Sequence, residues 1–347
     1  MKIEDFDYYL PKDLIAQFPA KNREDARLLI INRKTRKISH SGFKNFKDWL
    51  CPEDILVLND AKVKPARLIG NIGSVCVDVL LVERKKKNFY FVKAKPMKKL
   101  KPGVKITFAS GSISALVREF ESIEYKSMAL LEFQIQEDVE DKLNQIGIMP
   151  LPPYIKRQAR KDDNFRYQTV YARASGAIAC PTAGLHFTLP ILKDIENKDT
   201  KITFVNLNVG LGTFLPVKEI DPRKHKMHKE HFNLQKQAAL SIENARKHKG
   251  RICAVGTTVC RVLEACAQIN AGQFRLVPQQ GETDLFIYSP YQFKAVDMLL
   301  TNFHFPRTTL LMLVYAFAGR ELALKAYQEA VKKKYRFYSY GDCMLII

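Results

Sequence analysis

Between Ala66 and about Ile135 the chain is written in short alternating runs, VCVDVLLV, NFYFVKA, VKITFA, ISALVREF and MALLEFQI, separated by basic or Gly/Ser turns. Alternation sends successive side chains to opposite faces of a strand. Strands this closely spaced hide their unpaired edges only by closing on themselves or by packing on a second sheet. A small antiparallel β-barrel is the expectation. Beyond Pro150 the texture becomes strand, loop, helix: ITFVNLNV, RICAVG and AVDMLLTNF read as buried strands, whereas 236–249, 257–269, 308–318 and 321–333 read as helices. The first sixty residues resemble this second texture. The fold class expected is therefore α/β: a larger α/β domain of residues 1–66 plus 150–347, with a small antiparallel β-barrel domain of residues 67–149 inserted into it. The proline-rich MPLPPYIKR at 149–157 serves as the return linker, since residues before proline favour extended backbone.

A chain of 347 residues can bury a substantial core. Its 56 basic residues outweigh 36 acidic ones, giving a net charge of +20, which favours a polyanionic partner such as nucleic acid or else reflects a lysine-rich proteome. The opening MKIEDFDYYL lacks the basic-then-apolar layout of a signal peptide, and the longest apolar stretch, Thr309 to Gly319, is too short to span a bilayer. A soluble cytoplasmic protein, with no membrane partner, is expected. The seven cysteines are scattered without a C-x-x-C pair and read as buried thiols in a reducing compartment.

Candidate chemistry concentrates after the linker. In GAIACPTAGLHF (176–187), two glycines and a proline supply unusual backbone angles while Thr182 and His186 offer donors and acceptors beside the bend. VGTTVCRVLE (255–264) runs from a strand through Gly256 into a helix opening on Thr257 and Thr258, either an anion site or an ordinary N-cap. In GETDLFIY (281–288), Glu282 and Asp284 flank Thr283; on a strand they point the same way and their pKa values separate, whereas in a loop they are merely solvated. His186 and His304 each end an apolar run beside groups able to fix a tautomer, and each is either catalytic or a satisfied core histidine. The cluster of His225, His228, His231 and Glu230 is set among cations that would repel a divalent metal, so no metal is expected there. VGLGTF at 209–214 lacks the third glycine of a dinucleotide fingerprint. Basic runs at 84–87, 95–101 and 332–341, the last interleaved with aromatics, could follow a phosphate backbone or face solvent.

Taken in order, YYLPKDLIAQFPAKNREDARLLI, DILVLNDAKVKPARL, MPLPPYIKR, GAIACPTAGLHFT, VGLGTFLPV, HKMHKEHF, VGTTVCRVLE, GETDLFIY, LLTNFHFP and YRFYSYGDCMLI closely resemble the S-adenosylmethionine:tRNA ribosyltransferase-isomerases of queuosine biosynthesis. The resemblance covers essentially the whole chain. It implies transfer and isomerisation of the ribosyl part of S-adenosylmethionine onto 7-aminomethyl-7-deazaguanine at the tRNA wobble position, giving epoxyqueuosine, adenine and methionine. S-adenosylmethionine is then a consumed co-substrate, with no separate cofactor, and the protein a monomer. The chain departs from the family's usual pattern in three places: Ser289-Pro290 for Pro-Gly, Cys180 for alanine and Phe305 for leucine.

Such chemistry needs a base near the ribose C5′ hydrogens and an acid for departing adenine. His186, His304, Glu282 and Asp284 are the candidates for these roles. Thr258 and Arg261 are expected around the methionine carboxylate, and Thr182, Gly184, Thr257, Thr283, Asn302, His228 and Glu230 elsewhere on substrate. Lys85, Lys86, Lys98, Lys99, Lys333, Lys334 and Arg336 are the expected tRNA contacts.

Overall fold

The computed structural model describes residues 1–123, 126–210, 217 and 219–347. The chain resolves into two compact units, one of Met1–Lys62, Pro152–Arg157 and Arg166–Ile347, the other of Val63–Leu151 and Gln158–Phe165. Strands β1 (Arg27–Asn32), β2 (Lys37–Gly42), β3 (Ile55–Asn59) and β4 (Ala61–Val63) come first. Then follow β5 (Arg67–Ile72), β6 (Val75–Lys86), β7 (Phe89–Lys95), β8 (Lys105–Phe108), β9 (Ile113–Ile123) and β10 (Lys126–Phe133), with the short helices α1 (Glu140–Ile146) and α2 (Asp163–Arg166). The rest comprises β11 (Ala174–Ala177), α3 (Leu189–Glu196), β12 (Lys201–Leu207), β13 (Glu230–Leu234), α4 (Lys236–Lys247), β14 (Ile252–Val255), α5 (Thr257–Cys266), β15 (Ala267–Asn270), β16 (Gln273–Leu276), β17 (Gln279–Thr283), β18 (Met298–Asn302), α6 (Thr309–Ala318), α7 (Arg320–Lys332) and β19 (Cys343–Ile346).

Strands β5 to β10 close into a six-stranded antiparallel barrel in the order β10-β7-β6-β5-β8-β9. The alternation seen in the sequence is the reason: Val77, Val79 and Leu81 of β6 point inward with Val92, Ile106, Val117 and Leu131, while the residues between them face out. Closure removes both edges. Cys76 is one of the outward positions, and with Cys51 it is exposed, so two of the seven thiols depart from the buried expectation.

The other unit is built on a nine-stranded sheet ordered β17-β13-β12-β3-β14-β18-β19-β1-β2. Its middle strands β12, β3, β14 and β18 run parallel, and β13 and β17 extend one edge antiparallel. Alternate residues feed two cores. Leu29, Val57, Ala254 and Leu299 pack beneath α4 to α7, while Leu28, Leu56, Val255 and Leu300 pack against α3 and the turn at 43–49. Burial on both faces explains the continuous apolar runs of these strands. Of the expected helices, that at 257–269 stops at Cys266. Ala271 and Gly272 adopt positive φ (48° and 77°) and turn β15 back onto β16 as a hairpin. Among the described residues no helix is long and apolar enough to cross a membrane.

A neutral recess at the strand ends

Parallel strands end where helices begin, and the crevice beyond their C-terminal ends is where such sheets bind ligands. Here β14 ends at Val255, and Gly256 turns the chain into α5 with φ 93°, a backbone angle that side chains other than glycine strain to adopt. The Gly256 amide donates to the Leu300 carbonyl at 2.8 Å, joining this turn to β18. Beyond β18 follow Phe303 and His304; beyond β12 follows Val209. Together with 180–183, Tyr154, Leu310 and the tail residues Tyr338 and Ser339, these ends line a recess of about 50 Å³. Its polar lining consists of Thr182, Thr257, Thr258, Thr301, Asn302, His304, Tyr154, Tyr338 and Ser339, with the Cys180 thiol beside them. Among the described residues that line it there is no Asp, Glu, Lys or Arg. Burial pushes the Cys180 thiol well up, so it is no thiolate nucleophile.

Asn302 is the hub. Its side-chain oxygen accepts from the Thr182 hydroxyl at 3.0 Å, and its amide nitrogen donates to His186 Nε2 and to the Tyr338 carbonyl, each at 3.2 Å. An amide nitrogen only donates, so His186 Nε2 is an acceptor and unprotonated. The ring also donates a hydrogen bond to the Arg23 backbone and packs on Phe43. Burial first, then the cations Arg23 and Arg336, lower its pKa to about 3. His186 thus lies outside the recess that Asn302 lines, and lines instead a small cleft with Arg23, Arg166, Leu185 and Ser339. Gly184 stands behind the same turn, where a Cβ would meet the Tyr171 hydroxyl at 2.1 Å, so no side chain fits there. His304 does line the recess. Its Nε2 shares a 2.8 Å hydrogen bond with the Thr301 hydroxyl, and burial lowers its pKa to about 3. Tyr8 Oη caps the His304 carbonyl at 2.5 Å and the Tyr327 hydroxyl accepts from its amide at 3.1 Å, fixing the segment.

The remaining candidates lie elsewhere. Arg261 forms a buried ion pair with Glu230 and donates to the carbonyls of Leu285 (3.0 Å) and Thr283 (3.4 Å). Glu230 also accepts from the Gly210 amide at 3.0 Å. Both charges are thus neutralised within the fold, and neither meets the recess. Along β17 the buried residue is Thr283, so Glu282 and Asp284 on either side of it face solvent; Glu282 pairs with His231 at 3.4 Å and Lys229 at 3.7 Å. Glu282 is thus on the outer side of β17, and Asp284 lies just beyond the strand's end. His225 lies edge-on to Phe286, while His228 is half-buried and His231 is exposed on β13; no helix aligns the three. Among the described residues no group of three or more His, Cys, Asp or Glu side chains is gathered as a metal would require. The two-glycine segment 209–214 lies outside the described residues from Leu211 on.

Of the basic candidates, Lys85 and Lys86 are exposed on β6, where Lys86 covers the Phe89 ring at 4.2 Å, and Lys98 and Lys99 are exposed on the turn that follows β7. Lys333 and Lys334 are exposed, their carbonyls taken by Arg27. Arg336 differs: it is half-buried, bound to the Phe18 carbonyl, and desolvation lowers its pKa. The aromatics interleaved with it, Tyr335, Phe337, Tyr338 and Tyr340, are all buried and offer no stacking platform. The residues that sequence reasoning missed are Tyr154, Tyr338 and Ser339, which line the recess, and Glu264, a buried carboxylate accepting from the amides of Lys294, Ala295 and Val296 at 2.9, 2.9 and 3.0 Å.

A mixed α/β sheet with a recess at its parallel strand ends, accompanied by a closed antiparallel barrel, defines the class: an α/β enzyme with a β-barrel unit. Residues 3–346 match the family described as queuosine biosynthesis protein. Curated relatives named S-adenosylmethionine:tRNA ribosyltransferase-isomerase, from Acetivibrio thermocellus and Carboxydothermus hydrogenoformans, are 46% identical over 348 and 350 residues, covering 100% of both chains in each case. A third, from Halothermothrix orenii, is 43% identical, again over 100% of each chain. The crystal structure of an S-adenosylmethionine tRNA ribosyltransferase from Thermotoga maritima is 35% identical, covers 99% of this chain and 100% of its own, and superposes with a TM-score of 0.56. The chain belongs to this family of queuosine biosynthesis enzymes.

Proposed function

We propose that the chain transfers the ribosyl part of S-adenosylmethionine to 7-aminomethyl-7-deazaguanine at the wobble position of a tRNA and isomerises it, releasing adenine and methionine and leaving epoxyqueuosine. The observation that carries this reading is the end-to-end identity of 43–46% with relatives named for that activity. S-adenosylmethionine is spent as a substrate, and no further cofactor enters the scheme.

The sulfonium acidifies the ribose C5′ hydrogens; loss of a C5′ proton leads to expulsion of adenine, the tRNA amine adds to the ribose-derived fragment, and epoxide closure expels methionine. No covalent enzyme intermediate is required. The recess suits a neutral, hydroxyl-bearing ring, because its polar groups are hydroxyls, an amide and an imidazole. Thr182, Thr257, Thr258 and Asn302 are the positioning residues in this reading, and His304 is the imidazole that meets substrate. Burial keeps His304 neutral at neutral pH, the state from which it can accept a proton. Its basicity rises only as negative charge develops beside it, which ties proton transfer to the ylide-like state at C5′. The exposed lysines of β6 and of the turn after β7 supply a phosphate-binding face. Incubating the protein with S-adenosylmethionine and tRNA carrying the aminomethyl-deazaguanine, then digesting the tRNA for mass spectrometry, tests the reading: epoxyqueuosine and stoichiometric free adenine are expected, and intact precursor base with no adenine would refute it.

A further inference from the structure

A second cavity, of about 440 Å³, lies on the antiparallel edge of the large sheet and shares no lining residue with the recess. Strand register sets Asn206 opposite Asn233 and Asn233 opposite Gln280, so three amide side chains stand in a row across β12, β13 and β17 on one face of the sheet. Neighbouring strands place them roughly 4.8 Å apart. Asn208 lines the same cavity, and its side-chain oxygen is buried without a hydrogen-bond partner among the described residues. The side chains of Asn233 and Gln280 make no hydrogen bond among the described residues, whereas Asn206 donates to Asp60 at 3.0 Å. At one end the exposed guanidinium of Arg173 lies over the Phe204 ring at 4.6 Å.

The chemistry of this lining is selective. Amides supply a donor and an acceptor each, the guanidinium supplies a flat face for stacking, and Asp60 and Arg173 offset each other in charge. A free anion would meet one cation and one carboxylate, and an apolar peptide would leave the amides unpaired. A flat, neutral ligand with donors and acceptors along its edges satisfies all of them, and an unpaired nucleobase is such a ligand: bases stack on guanidinium planes and offer their edges to amides. In a duplex those edges are already occupied. We infer that this groove receives one unpaired base of the RNA substrate, stacked on Arg173 and read by Asn208, Asn233 and Gln280. The inference rests on the tRNA reading above.

The test is binding of fluorescent anticodon stem-loops, each differing at a single unpaired loop position, to the wild-type protein and to the Asn233→Ala/Gln280→Ala and Arg173→Ala variants across a range of salt. Wild-type protein should prefer one base at one loop position by roughly tenfold. The double variant should lose that preference and about tenfold in affinity for the preferred loop, with melting temperature unchanged because neither side chain supports the fold, and with an unchanged salt slope because no phosphate contact is removed. Arg173→Ala should weaken binding to every base by roughly five- to tenfold through lost stacking and flatten the salt slope by at most one contact. Retention of the base preference by the double variant would overturn the inference while leaving the enzymatic reading intact; wild-type protein that binds no stem-loop at any salt and forms no epoxyqueuosine would overturn both.

Discussion

Glu264 offers the sharpest test of how the segment that follows GETDLFIY and leads into β18 is held. It sits in the last turn of α5, 2% exposed, and its carboxylate accepts from three consecutive backbone amides, those of Lys294, Ala295 and Val296, and from the Tyr291 hydroxyl at 3.3 Å. Glu264→Ala removes every acceptor at once. Ala295 and Val296 are buried, so their amides are stranded at about 1–3 kcal/mol each, while the half-exposed Lys294 amide and the Tyr291 hydroxyl regain water more cheaply. Relief of the buried carboxylate's own desolvation offsets part of this, leaving a net loss of roughly 3–5 kcal/mol, a large share of a typical domain's stability. The chain has one tryptophan, Trp49, in the same unit, so its fluorescence during urea unfolding reports on that unit rather than on the barrel. Glu264→Gln keeps the shape and one acceptor oxygen but turns an NH2 group towards a donor, and about half the loss is expected. An Ala variant within about 1 kcal/mol of wild type, or a Gln variant as unstable as Ala, would show that the carboxylate is not what anchors 294–296.

Tyr338 lines the recess with a buried hydroxyl that has no partner among the described residues; Tyr338→Phe should leave the unfolding free energy within about 0.5 kcal/mol of wild type yet raise KM for S-adenosylmethionine about five- to tenfold, and unaltered kinetics would show that the hydroxyl does not reach substrate. His186 and His304 have folded pKa values lowered to about 3 against an ordinary value near 6.5, so the unfolded chain binds more protons between those values. Stability should be complete above about pH 6.5 and fall on acidification by up to roughly 1.4 kcal/mol per pH unit for each histidine; His304→Gln should remove about one proton from that slope, and a urea midpoint flat from about pH 7 to about pH 5 would refute the assignment. Because Glu282 and Asp284 face solvent, Glu282→Gln and Asp284→Asn should retain turnover within about twofold in the mass-spectrometric assay, and a hundredfold loss in either would place that carboxylate in the chemistry after all.

The architecture was legible because its signal is periodic. Val77, Val79 and Leu81 announce a half-buried strand by themselves, and an apolar run such as ICAV announces a strand buried on both faces. The overlong helix at α5 fails for the same reason: Val259, Val262, Leu263, Cys266 and Ala267 keep helical spacing through the point where the chain leaves the helix, and only Asn270 to Gly272 carry the opposing turn signal. The basic and aromatic tail is a compositional reading, and composition is blind to burial; Asp342, 2% exposed, accepts from the amides of Arg27 and Arg336 and draws the tail's rings inward.

The loops of the site were legible, but the side each residue faces was not. Alternation states that Glu282 and Asp284 share a face and leaves open which face; the answer lies in Arg261, whose guanidinium takes the carbonyls of Thr283 and Leu285 from the interior and so turns the carboxylates outward. Arg261 in turn is committed by Glu230, thirty-one residues away, and an arginine awaiting a substrate carboxylate is spelled the same way as one already paired. The two histidines make the same point from opposite sides. Both end apolar runs, both are buried, and burial lowers both to about 3, yet Asn302 turns its amide to His186 while His304 is left on the recess. Each ring is held through Nε2 by one side chain, His186 by Asn302 across the fold and His304 by Thr301 three residues before it, so the partner of the first is set by the packing of β18 on the 182–186 turn and that of the second by its own segment.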